Sequence, residues 1–315
     1  FSLVEKHRVR VLFYTWNKLE VTLDTLKSLL ASHIGDAGVT LLNNGSTAFS
    51  PEDFTTGIQA VAQGRPVEVV QLPVNIGAPA ARNWLWHLPS TREADYVAYL
   101  DDDVLLPNNW LACYLEDLRA NADTVVVGPK CVNPNPLRTI QYIYRYFSEA
   151  KGRVVHFTNN SPLPMDLGQF DYRRPCLSVM GCCHLLDRRR VGALGIPDFD
   201  IRYAPSQVDD IEHDLRIVHA GGHVLYDGRV QVIHRQDSGR AAPLTEAAWG
   251  HVWGNHLKME HAFALDELAA MDLAVRGLEL AHWRECLAVA WETLPAGAKS
   301  FFAAFTPAEP SAATA

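Results

Sequence analysis

With 315 residues, 48% of them hydrophobic, the chain is long enough and apolar enough to fill one large α/β domain or two smaller ones, and its composition is not that of a disordered protein. A formal net charge of −8 excludes an extended basic footprint for nucleic acid, so an anionic ligand has to be met by local cations. The six cysteines, at 113, 131, 176, 182, 183 and 286, show no paired C-x-x-C spacing and follow no secretory leader, which leads us to expect reduced thiols and a cytoplasmic protein.

In chain order, VRVLFY at 9–14 reads as a first strand, and Leu19, Leu23, Leu26 and Leu30 then recur at helical spacing. VTLLN at 39–43 and VEVVQLP at 67–73 read as further strands, so the rhythm is βαβ and predicts a parallel sheet. Gly77 and Pro79 open a helix whose first backbone N–H groups are expected to be free to face a diphosphate, with Arg82 on the next turn. YVAYL at 96–100 is a strand that stops at three carboxylates, Asp101, Asp102 and Asp103. At the C-terminal end of a buried parallel strand such a triplet suits a divalent cation, and the bland alternative is a solvated acidic turn.

A helix at about 108–121 and a strand at 124–128 complete the nucleotide-binding half. Residues 134–175 are irregular and rich in proline around Tyr142, Tyr144, Tyr146 and Phe147, with the three tyrosines expected to alternate on one face of a hairpin. LSVMGCCHLLD at 177–187 restores regular structure, with Cys182 and Cys183 read as buried small residues. A helix then begins at Asp209 and Asp210, where carboxylates suit the macrodipole, and Glu212 and Arg216 are spaced to pair on its surface. HVLYD at 223–227 and VQVIH at 230–234 read as a strand pair ending at His234. From about 262 to 294 the chain is helical, with Leu265, Leu268, Met271, Leu278, Trp283, Leu287 and Trp291 expected to pack or to pair two copies in a homodimer, and the tail at 301–315 has a disordered composition. No apolar run reaches the length of a membrane span, and no basic face supports the alternative of peripheral membrane association.

Taken together, LFYTWN at 12–17, NNGST at 43–47, NIGAPAARN at 75–83, LDDDV at 100–104 and DFDIRYAPSQVDDIEHDLR at 198–216 resemble, in order, the motifs of family 2 glycosyltransferases of the GT-A fold. Asn43 stands where that family usually has Asp, Phe13-Tyr14 where it has Ile-Pro, and Asp209 where it has Glu. The resemblance covers about residues 8–240. It implies an α/β domain with one Rossmann-like sheet sandwiched by helices, a nucleotide-binding half at 8–128 and an acceptor half at 129–240. Beyond it the motifs do not reach, and the helical pattern after Pro243 predicts a helical extension at 241–300.

The same resemblance implies a base pocket near Thr15, Asn17 and Asn43, with Gly77 and Arg82 near the diphosphate. Asp101 is expected at the donor ribose beside Asp102, and Asp103 and His234 are expected to hold Mn²⁺ or Mg²⁺. Asp210, or its neighbour Asp209, is the expected general base, acting with inversion. The donor is expected to be a UDP-, TDP- or GDP-sugar. The acceptor, a glycan, a lipid-linked sugar or a small molecule, is expected near Tyr144, Gly181 and Cys182. A retaining transferase and a non-catalytic nucleotide-sugar-binding module are the alternatives, and no Gly-rich signature near the first strand favours a nucleotidyltransferase.

Overall fold

The structure, a computed structural model, describes residues 2–150, 153–159, 165–236 and 245–305. Pro162 and Pro164 of the irregular segment, Pro243, and residues 306–315 of the tail lie outside the described residues.

Apolar residues run almost unbroken through the first strands because both faces of the sheet are covered. Strand β1 (Val9–Thr15), helix α1 (Leu19–Ala31), β2 (Gly38–Asn44), α2 (Pro51–Ala62), β3 (Val67–Leu72), α3 (Ala78–Trp86), the single turn α4 (Pro89–Arg92) and β4 (Tyr96–Leu100) follow in order. β1 lies parallel to β2 on one side and to β4 on the other, and β3 extends the sheet beyond β2. Val11, Phe13, Ala98 and Leu100 pack on one face with Trp110 and Tyr114, while Leu12, Val97 and Tyr99 pack on the other. Helix α2 adds to the expected elements: Pro51 occupies its first turn, and Ser50 and Asp53 close a reciprocal capping box that satisfies two of its end groups.

The second half comprises β5 (Val104–Leu105), α5 (Trp110–Ala120), β6 (Thr124–Val132), β7 (Ile140–Tyr142), β8 (Arg145–Ala150), β9 (Arg153–Asn159), β10 (Arg173–Cys176), β11 (Cys183–Asp187), α6 (Arg188–Ala193), α7 (Asp209–His219), β12 (His223–His234), α8 (Glu246–Glu260), α9 (Leu265–Trp291) and α10 (Ala296–Phe305). One mixed sheet runs β10-β12-β6-β11-β4-β1-β2-β3, with β5 added on β12 and β7 on β6, while β8 and β9 form a separate hairpin. Because β1 connects outward to β2 while β4 lies on its other flank, the strand order reverses at β1, and open α/β sheets bind ligands outside the C-terminal ends of strands at such a point. None of the described helices is long and apolar enough to cross a membrane.

Four local expectations are corrected. Residues 223–227 and 230–234 are one strand, not a pair: both halves lie parallel to β6, with an irregularity between Asp227 and Gln231. Gly228, which resembles a turn glycine, is needed for close approach, since a Cβ there would meet the Phe170 carbonyl oxygen at 1.8 Å. In the stretch 177–187 only Cys183–Asp187 is strand, because the N–H groups of Val179 and Gly181 leave the ladder to bond Asp214 and Asp210 of α7. The three tyrosines do not share a hairpin face: Tyr142 ends β7, Tyr144 lies between strands and Tyr146 belongs to β8. Helix α10 runs through the first residues of the segment expected to be disordered.

Gly45, in the loop after β2, has a φ of +67°, and a Cβ there would lie 2.1 Å from the Val74 carbonyl carbon. Gly45→Ala therefore combines a left-handed backbone with an unrelievable clash and is expected to destabilise the fold by about 2–4 kcal/mol. A fall in the urea midpoint at constant m-value is the expected reading; an unchanged midpoint would mean that the two loops do not meet as described.

Candidate active site

The C-terminal ends of β1, β4 and β12 meet at one edge of the sheet. β5 runs antiparallel along the end of β12 with Val104 opposite His234, which brings the carboxylates just before Val104 against the imidazole. The Arg235 N–H donates to the Asp103 carbonyl at 2.9 Å and fixes this pairing. The Asp103 Oδ1 lies 3.3 Å from His234 Nε2 and its Oδ2 accepts from Lys18 Nζ at 2.9 Å. The Asp101 Oδ2 is 3.7 Å from the same Nε2, and its Oδ1 is 3.6 Å from Arg82 Nη2. One ligand atom from each of Asp101, Asp103 and His234 falls within a 4.8 Å group able to hold a metal ion.

Charge balance differs along the triplet. Burial pushes the Asp101 carboxyl up to about 6, against the pull of Arg82 and His234. Burial acts the same way on Asp103, but the hydrogen bond and charge of His234 and the Lys18 ammonium outweigh it and hold Asp103 well below the usual carboxylate range. Asp102 is turned away from His234: Thr15 Oγ1 donates to it at 2.7 Å and Lys18 Nζ lies 3.3 Å from its other oxygen. Burial disfavours the charged form of His234, yet Cys182 and the two carboxylates raise its pKa to about 9. Its Nδ1 meets Gln141 Oε1 at 2.7 Å, so Nδ1 carries the proton and Nε2 points at Asp101 and Asp103.

The second carboxylate pair opens α7. Its N-cap, Val208, sits at φ 61° in the left-handed region, an uncommon setting for a β-branched residue, and Asn255 of α8 donates to the carbonyls of Tyr203 and Ser206 just before it. Asp209 pairs with the Arg82 guanidinium. Burial pushes the Asp209 carboxyl upward, against the pull of Arg82. Asp210 accepts from the Gly181 N–H at 3.0 Å and from the Ile211 N–H at 2.9 Å. Burial opposes its ionisation too, but Arg145, Arg82 and the Gly181 N–H hold it below the usual carboxylate range.

Several expected site residues serve the scaffold of this edge. Thr15 is fully buried and spends its hydroxyl on Asp102 and Thr22. The Asn17 Oδ1 accepts from the Thr47 and Ala48 N–H groups, and the Asn43 Oδ1 accepts from the Ser46 N–H at 2.9 Å, so both tie down the loop after β2. The N–H groups that lead into α3 are taken: Ile76 donates to Asn44, Gly77 to Asn75 and Ala78 to the Pro205 carbonyl. Arg82 is buried and bridges Asp209 and Asp101 rather than lying in a surface pair. Glu212 pairs with Arg216 as its spacing suggests, but with its carboxylate fully buried.

On the acceptor side, Tyr144 is 5% exposed and packs on Tyr226, with its hydroxyl bonded to Tyr172 and Arg174, which places it in the core. The Cys182 thiol faces Cys131 at 3.3 Å, both reduced, and its contribution at this edge is the carbonyl that accepts from the Asp101 N–H at 2.9 Å. Gly181 presses on Asp210: a Cβ would lie 2.8 Å from the Asp210 Oδ2.

Three residues here are absent from the sequence expectations: Lys18, Gln141 and Arg145. Lys18 had a signal, since three adjacent anions need a cation and it follows the first strand by three residues. Gln141 and Arg145 had none, because β7 and β8 reach the site only through tertiary packing.

No curated protein matches the chain. Among solved structures, GalNAc-T7 with UDP, GalNAc and Mn²⁺ superposes with a TM-score of 0.63 at 14% identity, covering 83% of this chain and 49% of that one. The chain thus spans about half the length of that protein. The mannosyltransferase PcManGT from Pyrobaculum calidifontis, in complex with GDP-Man and Mn²⁺, superposes with a TM-score of 0.51 at 16% identity over 90% of this chain and 81% of that one. At such identities the likeness is one of fold, a GT-A sheet with its flanking helices. The family model for glycosyl transferase family 2 matches residues 11–192, more than half of the sequence and every element from β1 through β11, and the chain belongs to that family.

Proposed function

We propose that the chain transfers a sugar from a nucleoside-diphosphate donor to an acceptor hydroxyl with inversion, in a reaction that depends on a divalent cation. The observation that carries this reading is the convergence of Asp101, Asp103 and His234 within 4.8 Å at the sheet edge where strand order reverses. Two carboxylates and an imidazole whose other nitrogen is held by Gln141 suit Mn²⁺ or Mg²⁺, since ligating histidines keep their second N–H bonded in this way. A bound cation supplies charge neutralisation at the diphosphate of the leaving nucleotide. Arg82 keeps Asp209 neutralised, and Lys18 and Thr15 fix Asp102. That leaves Asp210, held ionised by its partners, to take the proton of the attacking hydroxyl. The two solved structures above, each holding Mn²⁺ with a nucleotide or nucleotide sugar, support the donor class.

A thermal-shift panel of UDP-, TDP- and GDP-sugars, each with and without Mn²⁺, tests the donor and the metal together. At a hundred times Kd, a ligand of the folded state adds about 2.7 kcal/mol, which for a chain of this size is a rise of several degrees in melting temperature. The rise is expected for one nucleotide base and only with Mn²⁺. Equal stabilisation without metal would remove the metal from the reading, and the anomeric configuration of the product by NMR separates inversion from retention.

A further inference from the structure

We infer that Arg145 is a positioning residue for Asp210, supplying the positive charge that keeps this carboxylate ionised and aimed from α7 toward the sheet edge. This rests on the reading of Asp210 as the base. The Arg145 side chain is 11% exposed, and its backbone is anchored where its N–H donates to the Ser178 carbonyl at 2.9 Å. Its guanidinium lies over the Tyr142 ring, and Nη2 reaches the Met180 sulfur at 3.3 Å. Nη1 is buried with no hydrogen-bond partner and stands 3.9 Å from Asp210 Oδ1. A buried guanidinium nitrogen aimed at a carboxylate at that distance acts through its charge.

The groups that face Asp210 come from four directions. From α3 comes Arg82, already paired with Asp209. From the segment before β11 comes the Gly181 N–H, and from β11 itself His184. Its own helix brings Asp209, His213 and Asp214. Burial lowers His184 and His213 to about 3, so both are neutral near pH 7, and burial pushes the Asp214 carboxyl up to about 8, so it is largely protonated there. Among the described residues that act on Asp210, Arg145 is therefore the cation not paired with another carboxylate.

The test is a ¹³C-carboxylate NMR titration of the full chain labelled at aspartate, with the Asp210 signal assigned by its loss in Asp210→Asn. In Arg145→Met the Asp210 titration is expected to move upward by about one pH unit or more, the scale of an opposite charge at this separation. In Arg145→Lys, which keeps the charge without the planar fork, it is expected to stay near the parent. Titration of Asp210 at the parent pH in a folded Arg145→Met overturns the inference. So does a shift in Arg145→Lys as large as in Arg145→Met, since packing rather than charge would then set it. If Arg145→Met does not fold, Arg145→Gln carries the same expectation. With a donor that is turned over, the acid limb of nucleotide release should move by the same amount. If the parent releases no nucleotide from any donor, the base reading fails while the NMR titration still decides the role of Arg145.

Discussion

Replacing Asp103 with alanine is expected to weaken Mn²⁺ binding, measured by calorimetry in the presence of nucleotide, by at least about a hundredfold, and to remove metal-dependent transfer to the same degree. Loss of an outer partner of a metal ligand alone costs about 10- to 100-fold in affinity, and Asp103 is argued to be a ligand itself. It is also the residue that neutralises two cations, with Oδ1 facing His234 and Oδ2 holding Lys18. Without it, His234 keeps only the more distant Asp101 and Lys18 only Asp102, so net positive charge rises where a divalent cation must enter. Breaking a buried ion pair at one partner also costs about 3–5 kcal/mol of stability, so Asp103→Asn, which keeps the shape, is the companion variant and is expected to lose metal while melting closer to the parent. Asp102→Asn is expected to disturb metal binding less, because its contacts are to Thr15 and Lys18 rather than to His234. Parent-like Mn²⁺ affinity in both Asp103 variants would place the metal elsewhere or nowhere.

Asp210→Asn is expected to lower transfer by about 10²- to 10⁴-fold, the contribution of a positioned general base, while nucleotide and Mn²⁺ still bind. The substitution has a structural cost of its own. Both Asp210 oxygens accept backbone N–H groups, from Gly181 and Ile211, and an asparagine offers only one acceptor for the two. A loss of about 1–3 kcal/mol in stability is expected from the donor left unpaired, visible in the melting curve and separable from the far larger kinetic loss. Asp209→Asn provides the contrast. It leaves the buried Arg82 with only the more distant Asp101, so its expected signature is instability, with turnover retained below the melting transition. Full turnover in Asp210→Asn together with lost turnover in a folded Asp209→Asn would move the base to Asp209.

Much of the fold is written in local pattern. The strands β1, β2 and β4 show as nearly continuous apolar runs because that part of the sheet is covered on both faces, whereas β3, at the sheet edge with Glu68 and Gln71, is only half-buried. Of the helices between them, α1 shows as a leucine stripe at helical spacing and α2 does not. β12 was harder to read. Asp227 and Gly228 look like a turn, yet the strand continues through a bulge that the parallel neighbour β6 accommodates and that Phe170 crowds closely enough to require glycine.

The candidate site divides along the same line. By itself the sequence determined that Asp101, Asp102 and Asp103 end a buried strand, that His234 ends another and that Asp209 and Asp210 begin a helix, because residue type at an element's end is a local property. Only the tertiary structure decided which of them meet. The antiparallel β5 sets Asp103 against His234 while Asp102 turns to Thr15 and Lys18. The N–H groups of Ile76, Gly77 and Ala78 leading into α3 looked free in the sequence and are taken by Asn44, Asn75 and Pro205. Asp209 and Asp210, neighbours of the same chemistry, are separated by their partners: Arg82 neutralises the first, and Gly181 and Arg145 leave the second ionised. The ionisation of a buried carboxylate depends on the charges and dipoles that packing places around it, and those partners come from segments dozens of residues away.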